Sequence, residues 1–382
     1  MNGLFLFDQD TRELAECMDH CALLLGEFNL HVFQEVWTTK MDFIFQAVER
    51  RPNMITFSNH LFGRETHSPT LVAVVLKYCL GKLDKLGDMD EMGAAVCIKW
   101  FKTVFTAVTL HPQSNEPILA AHLGKLIMDC FPLAAKAIRP TNYYHLLRTL
   151  FRAIGGGGGR FEILYKEALP LLPEMLECLQ KQLLASEGYA RDMLVELCLT
   201  VPLRLTHLIP YLSYLMRPLA LALKGSPELV SQGLRTLELC IDNLQPDFLD
   251  PTLNTVLREL MEALYSHLKP LPANHLHAHT TIRILGKLGG RNRRLLERPP
   301  ELQYRANAEV TKIRFSFIGS SGSMEVGPIT TLACRTLNTG RLGVPYREHA
   351  YNILEVVATL LLSEVSALLC EQAPSSNVVI GS

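Results

Sequence analysis

Three groups of residues have the types and spacing to do chemistry, and the first is a basic stretch. Between Lys287 and Arg314, eight cationic residues (Lys287, Arg291, Arg293, Arg294, Arg298, Arg305, Lys312, Arg314) outnumber three carboxylates (Glu297, Glu301, Glu309), a local excess of five positive charges. Its densest part, Lys287, Arg291, Arg293, Arg294 and Arg298, is the sequence's candidate surface for an acidic partner. The competing reading is a solvated loop beside a helix end, where arginine complements the helix dipole. The second group is histidine: His275, His277 and His279, with His267 nearby. On a helix His275 and His279 share a face and His277 points away, and no Asp, Glu or Cys completes a metal set, so capping and surface roles compete with metal binding. The third is the run Gly155 to Gly159. A phosphate loop needs Lys-Ser/Thr after its last glycine and a strand before its first. Here a helical pattern precedes the run and Arg160-Phe161 follows it, which favours a flexible connector.

No catalytic constellation emerges beside these. There is no Gly-x-Ser-x-Gly elbow, no His-Arg-Asp loop and no Asp-Phe-Gly. Gly286, Gly289 and Gly290 follow no strand and fit a helix C-terminus better than a dinucleotide fingerprint. The ten cysteines are scattered through apolar helical text, and only Cys17 and Cys21 are close, the pattern of reduced core thiols in a cytosolic or nuclear protein. No catalytic, cofactor-binding or metal-ligating residue is assigned, and no cofactor or small-molecule substrate is implied.

The elements that must position these residues are helices. Apolar positions recur with helical period through most of the 382 residues, and prolines fall repeatedly one residue inside a helix start. Expected helices run from Thr11 to Leu25, Asn29 to Arg50, Met54 to Leu61, Ser68 to Leu83 and Asp88 to Leu110. Others run from Glu116 to Ala137, Tyr143 to Ile154, Phe161 to Leu184, Tyr189 to Thr200 and Pro202 to Leu223. The last of the series are Pro227 to Asn243, Pro251 to Leu268 and His275 to Leu288. Ser68-Pro69 reads as a hydroxyl cap followed by proline at the first helical position, and His111 to Asn115 as a turn. No apolar run reaches the ~20 residues a bilayer span needs, and Asp8 and Asp10 make the start a poor signal peptide.

Short links between helices of this length imply antiparallel pairs stacked on their neighbours. Leu237 to Ile241 and Ile284 to Leu288 close successive pairs 47 residues apart, the period of HEAT and armadillo arrays. The expected fold is therefore all-α, a HEAT/armadillo-like α-solenoid of stacked antiparallel helix pairs. The sequence divides into a first helical-repeat segment (1–154), the glycine connector (155–159) and a second helical-repeat segment (160–298). A β-hairpin insertion with loops (299–345), a C-terminal helix (346–372) and a tail (373–382) follow. The hairpin is placed near 302–327, because Thr311 to Ile318 alternates with period two, Gly319 to Gly322 is turn chemistry, and Ser323 to Val326 can return. With 48% hydrophobic residues and a net charge of −1, the chain is neither a wholly disordered protein nor a globally basic nucleic-acid binder, and direct nucleic-acid binding is not expected.

Several blocks carry a resemblance: Val195 to Pro202, Leu229 to Leu249, Leu146 to Gly157, Leu169 to Pro173 and Arg283 to Gly290. Together they resemble the transformation/transcription domain-associated (TRRAP) family, a pseudokinase branch of the phosphatidylinositol 3-kinase-related proteins. The likeness is strongest from about Tyr143 to Arg294, and the longer glycine run and the Ser186 to Tyr189 connector depart from the family text. The resemblance implies a slice of a helical-repeat scaffold, not an enzyme, within a nuclear histone acetyltransferase complex of the SAGA or NuA4 type. The implied partners are subunits of that complex and acidic transcriptional activators, with no membrane partner. Two other classes stay open: a transport-receptor-like solenoid carrying cargo, and the solenoid portion of an active kinase of the same family.

Overall fold

The computed structural model describes residues 12–155, 161–202 and 204–267. Beyond them it describes residues 277, 280–281, 283–285, 287, 314–316, 323–325, 330–331, 333–335, 337, 347, 350–351 and 354. The chain divides into two compact units, Met1–Tyr214 and Leu215–Ser382.

The first unit holds α1 (Arg12–Leu25), α2 (Leu30–Arg50), α3 (Ile55–Phe62), α4 (Ser68–Leu80), α5 (Glu91–Leu110) and α6 (Pro112–Lys136). It continues with α7 (Thr141–Gly155), α8 (Glu162–Ala168), α9 (Leu172–Ala185), α10 (Gly188–Leu199) and α11 (Leu205–Leu208). The unit boundary falls inside α12 (Leu212–Ala222). The second unit then holds α13 (Pro227–Asn243), α14 (Pro246–Leu253) and α15 (Leu257–His267), and the described residues from 277 to 287 are also helical.

Packing in the first unit follows a two-layer rule. Helices α2, α4 and α6 succeed one another in one layer, continued by α8 and α9 against α6. In the other layer α1, α3, α5, α7 and α10 succeed one another, and α3 with α4, α4 with α5, α5 with α6, α6 with α7 and α9 with α10 pair across the layers. The chain can do this because the connections are short: a single residue, His111, separates α5 from α6. Between the layers lie Trp100, Phe101 and Val104 of α5, Leu123 and Ile127 of α6, and Leu147 and Leu150 of α7, all fully buried. By length and apolar composition α5 and α6 would also suit a bilayer. Here their apolar faces are covered by neighbouring helices, and α5 carries Lys99 and Lys102 on its exposed side.

Helix starts follow local chemistry. Asn29 caps α2, its Oδ1 accepting from the His31 N–H at 2.9 Å, and Asp90 caps α5 by accepting from the Gly93 N–H at 3.0 Å. Ser68 does not cap. It lies inside α4, fully buried, and its hydroxyl oxygen accepts from Asn115 Nδ2 at 2.9 Å. Asn115 also donates to the Ala107 carbonyl, and of the turn expected at His111 to Asn115 only His111 is a link, residues 112–115 being the first turn of α6. Two other expectations break at proline. The helix expected from Phe161 to Leu184 is interrupted by a 3₁₀ turn at Leu169–Leu171 around Pro170, and Ile209–Tyr211 does the same around Pro210. A proline inside a helix removes one hydrogen bond and crowds the preceding turn, and the tighter turn relieves both.

The link before α7 is tied to the link before α5, and this fixes one end of the site described below. The Tyr143 hydroxyl accepts from the Gly87 N–H at 3.2 Å and donates to the Leu83 carbonyl at 2.9 Å. Asn142 Nδ2 donates to the Leu86 carbonyl, and Arg139 N to the Gly87 carbonyl. Gly87 is required by close approach, since a Cβ there would lie 2.3 Å from Ala137 Cβ and 2.8 Å from Tyr143 Cε2.

In the second unit α13 buries Leu229, Val230, Leu234, Leu237, Cys240 and Ile241, and Ser226 caps it by accepting from the Leu229 N–H. Within 302–327, Arg314–Ser316 (β1) and Ser323–Glu325 (β2) pair antiparallel, with Phe315 opposite Met324.

Gly87→Ala is expected to lower stability by about 2 kcal/mol, since neither contacted atom is the far end of a flexible chain. A urea midpoint equal to that of the parent chain would show that the two links are not in contact.

Candidate functional site: a basic groove between α5 and α7

Because α5 and α7 are neighbours in one layer, a channel is left along their outer faces. Its volume is about 960 Å³, and Tyr189 of α10 joins its lining. Its lining contains five cations, Lys99, Lys102, Arg139, Arg148 and Arg152, against one carboxylate, Glu91. The apolar part of the floor comes from Ala94, Ala95, Ile98 and Phe105.

One buried group organises the cations of α7. Glu196, on α10, is 7% exposed. Its Oε1 accepts from Arg148 Nε at 2.8 Å and from Arg152 Nη2 at 2.5 Å. Arg148 and Arg152 are one helical turn apart, so a single carboxylate oxygen reaches both. Each guanidinium keeps further N–H donors in its planar fork. Beside them His145 shares a hydrogen bond with the Tyr189 hydroxyl at 3.2 Å. Its pKa is held below the ordinary histidine value, first by burial and then by the Arg148 charge, with Glu196 acting in the opposite sense. His145 therefore adds little positive charge to the groove near neutral pH. The hydroxyls of Thr106, Thr109 and Thr149 each donate to the helix carbonyl four residues back, which leaves their oxygens as acceptors.

The surface chosen from sequence has a different character. Lys287 is on a helix with its Nζ 2.6 Å from Glu238 Oε1 and 2.8 Å from Asp242 Oδ2 of α13. Arg283, one turn earlier, places Nη2 2.5 Å from Glu238 Oε2. Burial raises the Glu238 carboxyl pKa, but the hydrogen bonds and charges of Arg283 and Lys287 outweigh it and hold it below its ordinary value. Burial likewise lowers the Lys287 ammonium pKa, but its pairing with Asp242 and Glu238 raises it above normal. Lys287 is thus turned into the fold. Arg291, Arg293, Arg294 and Arg298 lie outside the described residues.

Of the histidines, His277 Nε2 is 2.7 Å from Ser231 Oγ, and His267 Nε2 is 2.7 Å from the Leu223 carbonyl. His275 and His279 are outside the described residues. Among the described residues no three His, Cys, Asp or Glu side chains are grouped to hold a metal.

Sequence reasoning passed over the groove because its cations come from separate helices and never form a run. A signal was present. Arg148-Thr149-Leu150-Phe151-Arg152 and Arg283-Ile284-Leu285-Gly286-Lys287 share cations at i and i+4, and Val195-Glu196-Leu197-Cys198 resembles Leu237-Glu238-Leu239-Cys240. Each cation pair clasps the glutamate of one such block.

A family model described as the Tra1 HEAT repeat central region matches residues 6–271, and one described as the Tra1 HEAT repeat ring region matches residues 283–376. This chain belongs to the Tra1 HEAT-repeat family. Its fold is accordingly an all-α HEAT-repeat solenoid. The chain is 37% identical over 361 residues to the SAGA complex/NuA4 acetyltransferase complex subunit TRA1 of Saccharomyces cerevisiae, covering 94% of this chain and 10% of that protein. It is 40% identical over 311 residues to transcription-associated protein 1 of Drosophila melanogaster, covering 81% and 8%. It is 36% identical over 356 residues to the human transformation/transcription domain-associated protein, covering 92% and 9%. The chain therefore spans about a tenth of the length of the curated relatives it matches.

The Glu238 clasp sets a pH dependence. A carboxyl held below its unfolded value contributes stability that is present above that value, near 4.5, and is lost as pH falls through the folded one. Glu238→Gln is expected to cost about 1–2 kcal/mol near neutral pH and to flatten the acid decline below about pH 4.5. Parallel acid profiles of urea midpoint for parent and variant would contradict this.

Proposed function

We propose that the chain is a non-catalytic scaffold segment of a nuclear histone acetyltransferase complex subunit of the SAGA/NuA4 type. The observation that carries this reading is the match of Tra1 HEAT-repeat regions across nearly the whole chain, with relatives named as subunits of such complexes. The physical layout supports it. Stacked helix pairs give an extended surface with more contact area than a compact domain of the same mass. The described cavity lining offers separated cations and hydroxyl acceptors, not an acid, a base and a nucleophile converging on one point.

Complex subunits are the first class of partner, and acidic transcriptional activators the second. For the latter, the stretch Lys287, Arg291, Arg293, Arg294 and Arg298 is the proposed surface. With Lys287 occupied by Glu238 and Asp242, the charge offered to a partner there comes from the four arginines.

The test is affinity purification of the tagged chain from nuclear extract, read by mass spectrometry, with circular dichroism and size exclusion as folding controls. Recovery of acetyltransferase-complex subunits is the expected result. A folded chain that recovers nuclear-pore proteins and a small GTPase instead would replace this reading with cargo transport.

A further inference from the structure

Away from the groove, one cation is held by aromatic rings and not by opposite charge. Lys82, in the link after α4, is half-buried, and its Nζ stands 5.0 Å from the Phe45 ring centroid and 4.9 Å from that of Tyr78. The two rings lie 5.7 Å apart at 50°, a V with the ammonium almost equidistant from its walls. Phe45 comes from α2 and Tyr78 from α4, which pack against each other. The Tyr78 hydroxyl donates to Asp42 Oδ1 of α2 at 2.6 Å, and this fixes the second wall. Burial and Asp42 raise the Tyr78 phenol well above its ordinary value, so that ring stays neutral.

Among the described residues, Lys82 Nζ makes no hydrogen bond and no ion pair. A lysine ammonium is a compact, strongly hydrated charge with three N–H donors. Two ring faces satisfy the charge but offer those donors no oxygen, so water must still serve them. A methylated ammonium has the opposite balance. It keeps the charge, loses a donor with each methyl group, and presents carbon to the rings, the kind of cation that aromatic cages recognise. The site therefore suits a methylated lysine better than the plain lysine that occupies it. Gly81, Asp84 and Lys85 beside Lys82 are exposed. The contact with each ring is weak, so the side chain swings out to solvent at equilibrium and is open to an enzyme there.

We propose that Lys82 is a lysine-methylation site whose product is held in cis by Phe45 and Tyr78. The methyl donor is a sulfonium compound. The ammonium gives up one proton to solvent and the neutral Nζ attacks the methyl carbon. The C–N bond forms as the C–S bond breaks, and the electron pair of the broken bond stays on sulfur. Each transfer exchanges one N–H for one N–CH3 and leaves the positive charge on nitrogen. Because the two rings belong to different helices, the methylated side chain fastens the end of α4 to α2. The site is separate from the α5–α7 groove and from the arginine-rich stretch after Lys287, and its test does not depend on membership of a complex.

Two measurements on the full 382-residue chain test this. In the first, the lysines are dimethylated chemically with isotope-labelled formaldehyde and a borohydride reductant, and the methyl groups are read by NMR. One dimethylammonium signal is expected upfield of the others through the ring currents, and Lys82→Arg is expected to remove it. Tyr78→Leu is expected to move it back toward the others. Tyr78→Phe, which keeps the ring and drops the Asp42 bond, is expected to retain the shift. A Lys82 signal at the position of the exposed lysines would overturn the proposal. In the second, mass spectrometry of the chain recovered from the cells that make it reads Lys82 directly. Methylation there is expected, and an unmodified Lys82, whatever the state of exposed Lys77 and Lys85, would overturn the proposal. Binding of a trimethyllysine peptide by the unmodified chain, read by fluorescence anisotropy, would also overturn it and give the cage to a partner's lysine.

Discussion

A helix in a two-layer array has only part of its surface covered by its own partner, so the next pair must cover the rest. Everything else in the described structure depends on that constraint. Trp100, Val104, Leu123, Ile127 and Leu147 are fully buried only because α5, α6 and α7 each touch neighbours within and across the layers. Burial of one such side chain is worth about 1.5–3 kcal/mol, so the array gains stability at every added interface. The polar ties are placed where the apolar contact pauses. Asn115 joins Ser68 to the end of α5, and Tyr143 joins the link before α5 to the start of α7. Apolar side chains stay exposed along α1 and α2, as Leu24, Val32 and Val36 do.

The same constraint makes the groove. Once the inner side of α5 is committed to the core, its outer side is free to carry charge, and Lys99 and Lys102 share a helix with Trp100 and Phe101 at no cost to the packing. Glu196, like Glu116, is a carboxylate nearly out of solvent. A lone buried charge would be expensive, and two guanidinium groups with direct hydrogen bonds offset that cost. The arrangement recurs in the second unit with Arg283, Lys287 and Glu238. Two cations one turn apart against one glutamate is thus a device of these repeats that both secures neighbouring helices and fixes arginine orientation.

Helix positions were legible in the sequence because they rest on periodicity and on proline and cap signals that act locally. The cap at Asn29, the start of α13 at Pro227, and the all-α repeat class follow from such signals, whereas the helix expected from Asp88 starts at Glu91 behind the cap Asp90. Local rules failed where a distant residue intervened. Ser68 had the right context for a cap, but Asn115, 47 residues on, claims its hydroxyl. The breaks at Pro170 and Pro210 needed a decision between a kink and a continuous helix that periodicity does not make. The groove was hidden for a related reason. Its charges are assembled by stacking, whereas the eye is drawn to contiguous charge such as Lys287 to Arg298, whose first member turns out to be bound within the fold.

The central claim is that stability here is a sum of neighbour interfaces and not the property of one cooperative globule. Native-state amide hydrogen exchange of the chain, resolved by peptide, tests it most directly. In the first unit the account predicts greatest protection in α5 and α6, which are covered on several sides, with protection falling in steps toward α1 and α2. Exchange of α1 and α2 at the same opening free energy as α5 and α6, in a single cooperative event, would contradict it.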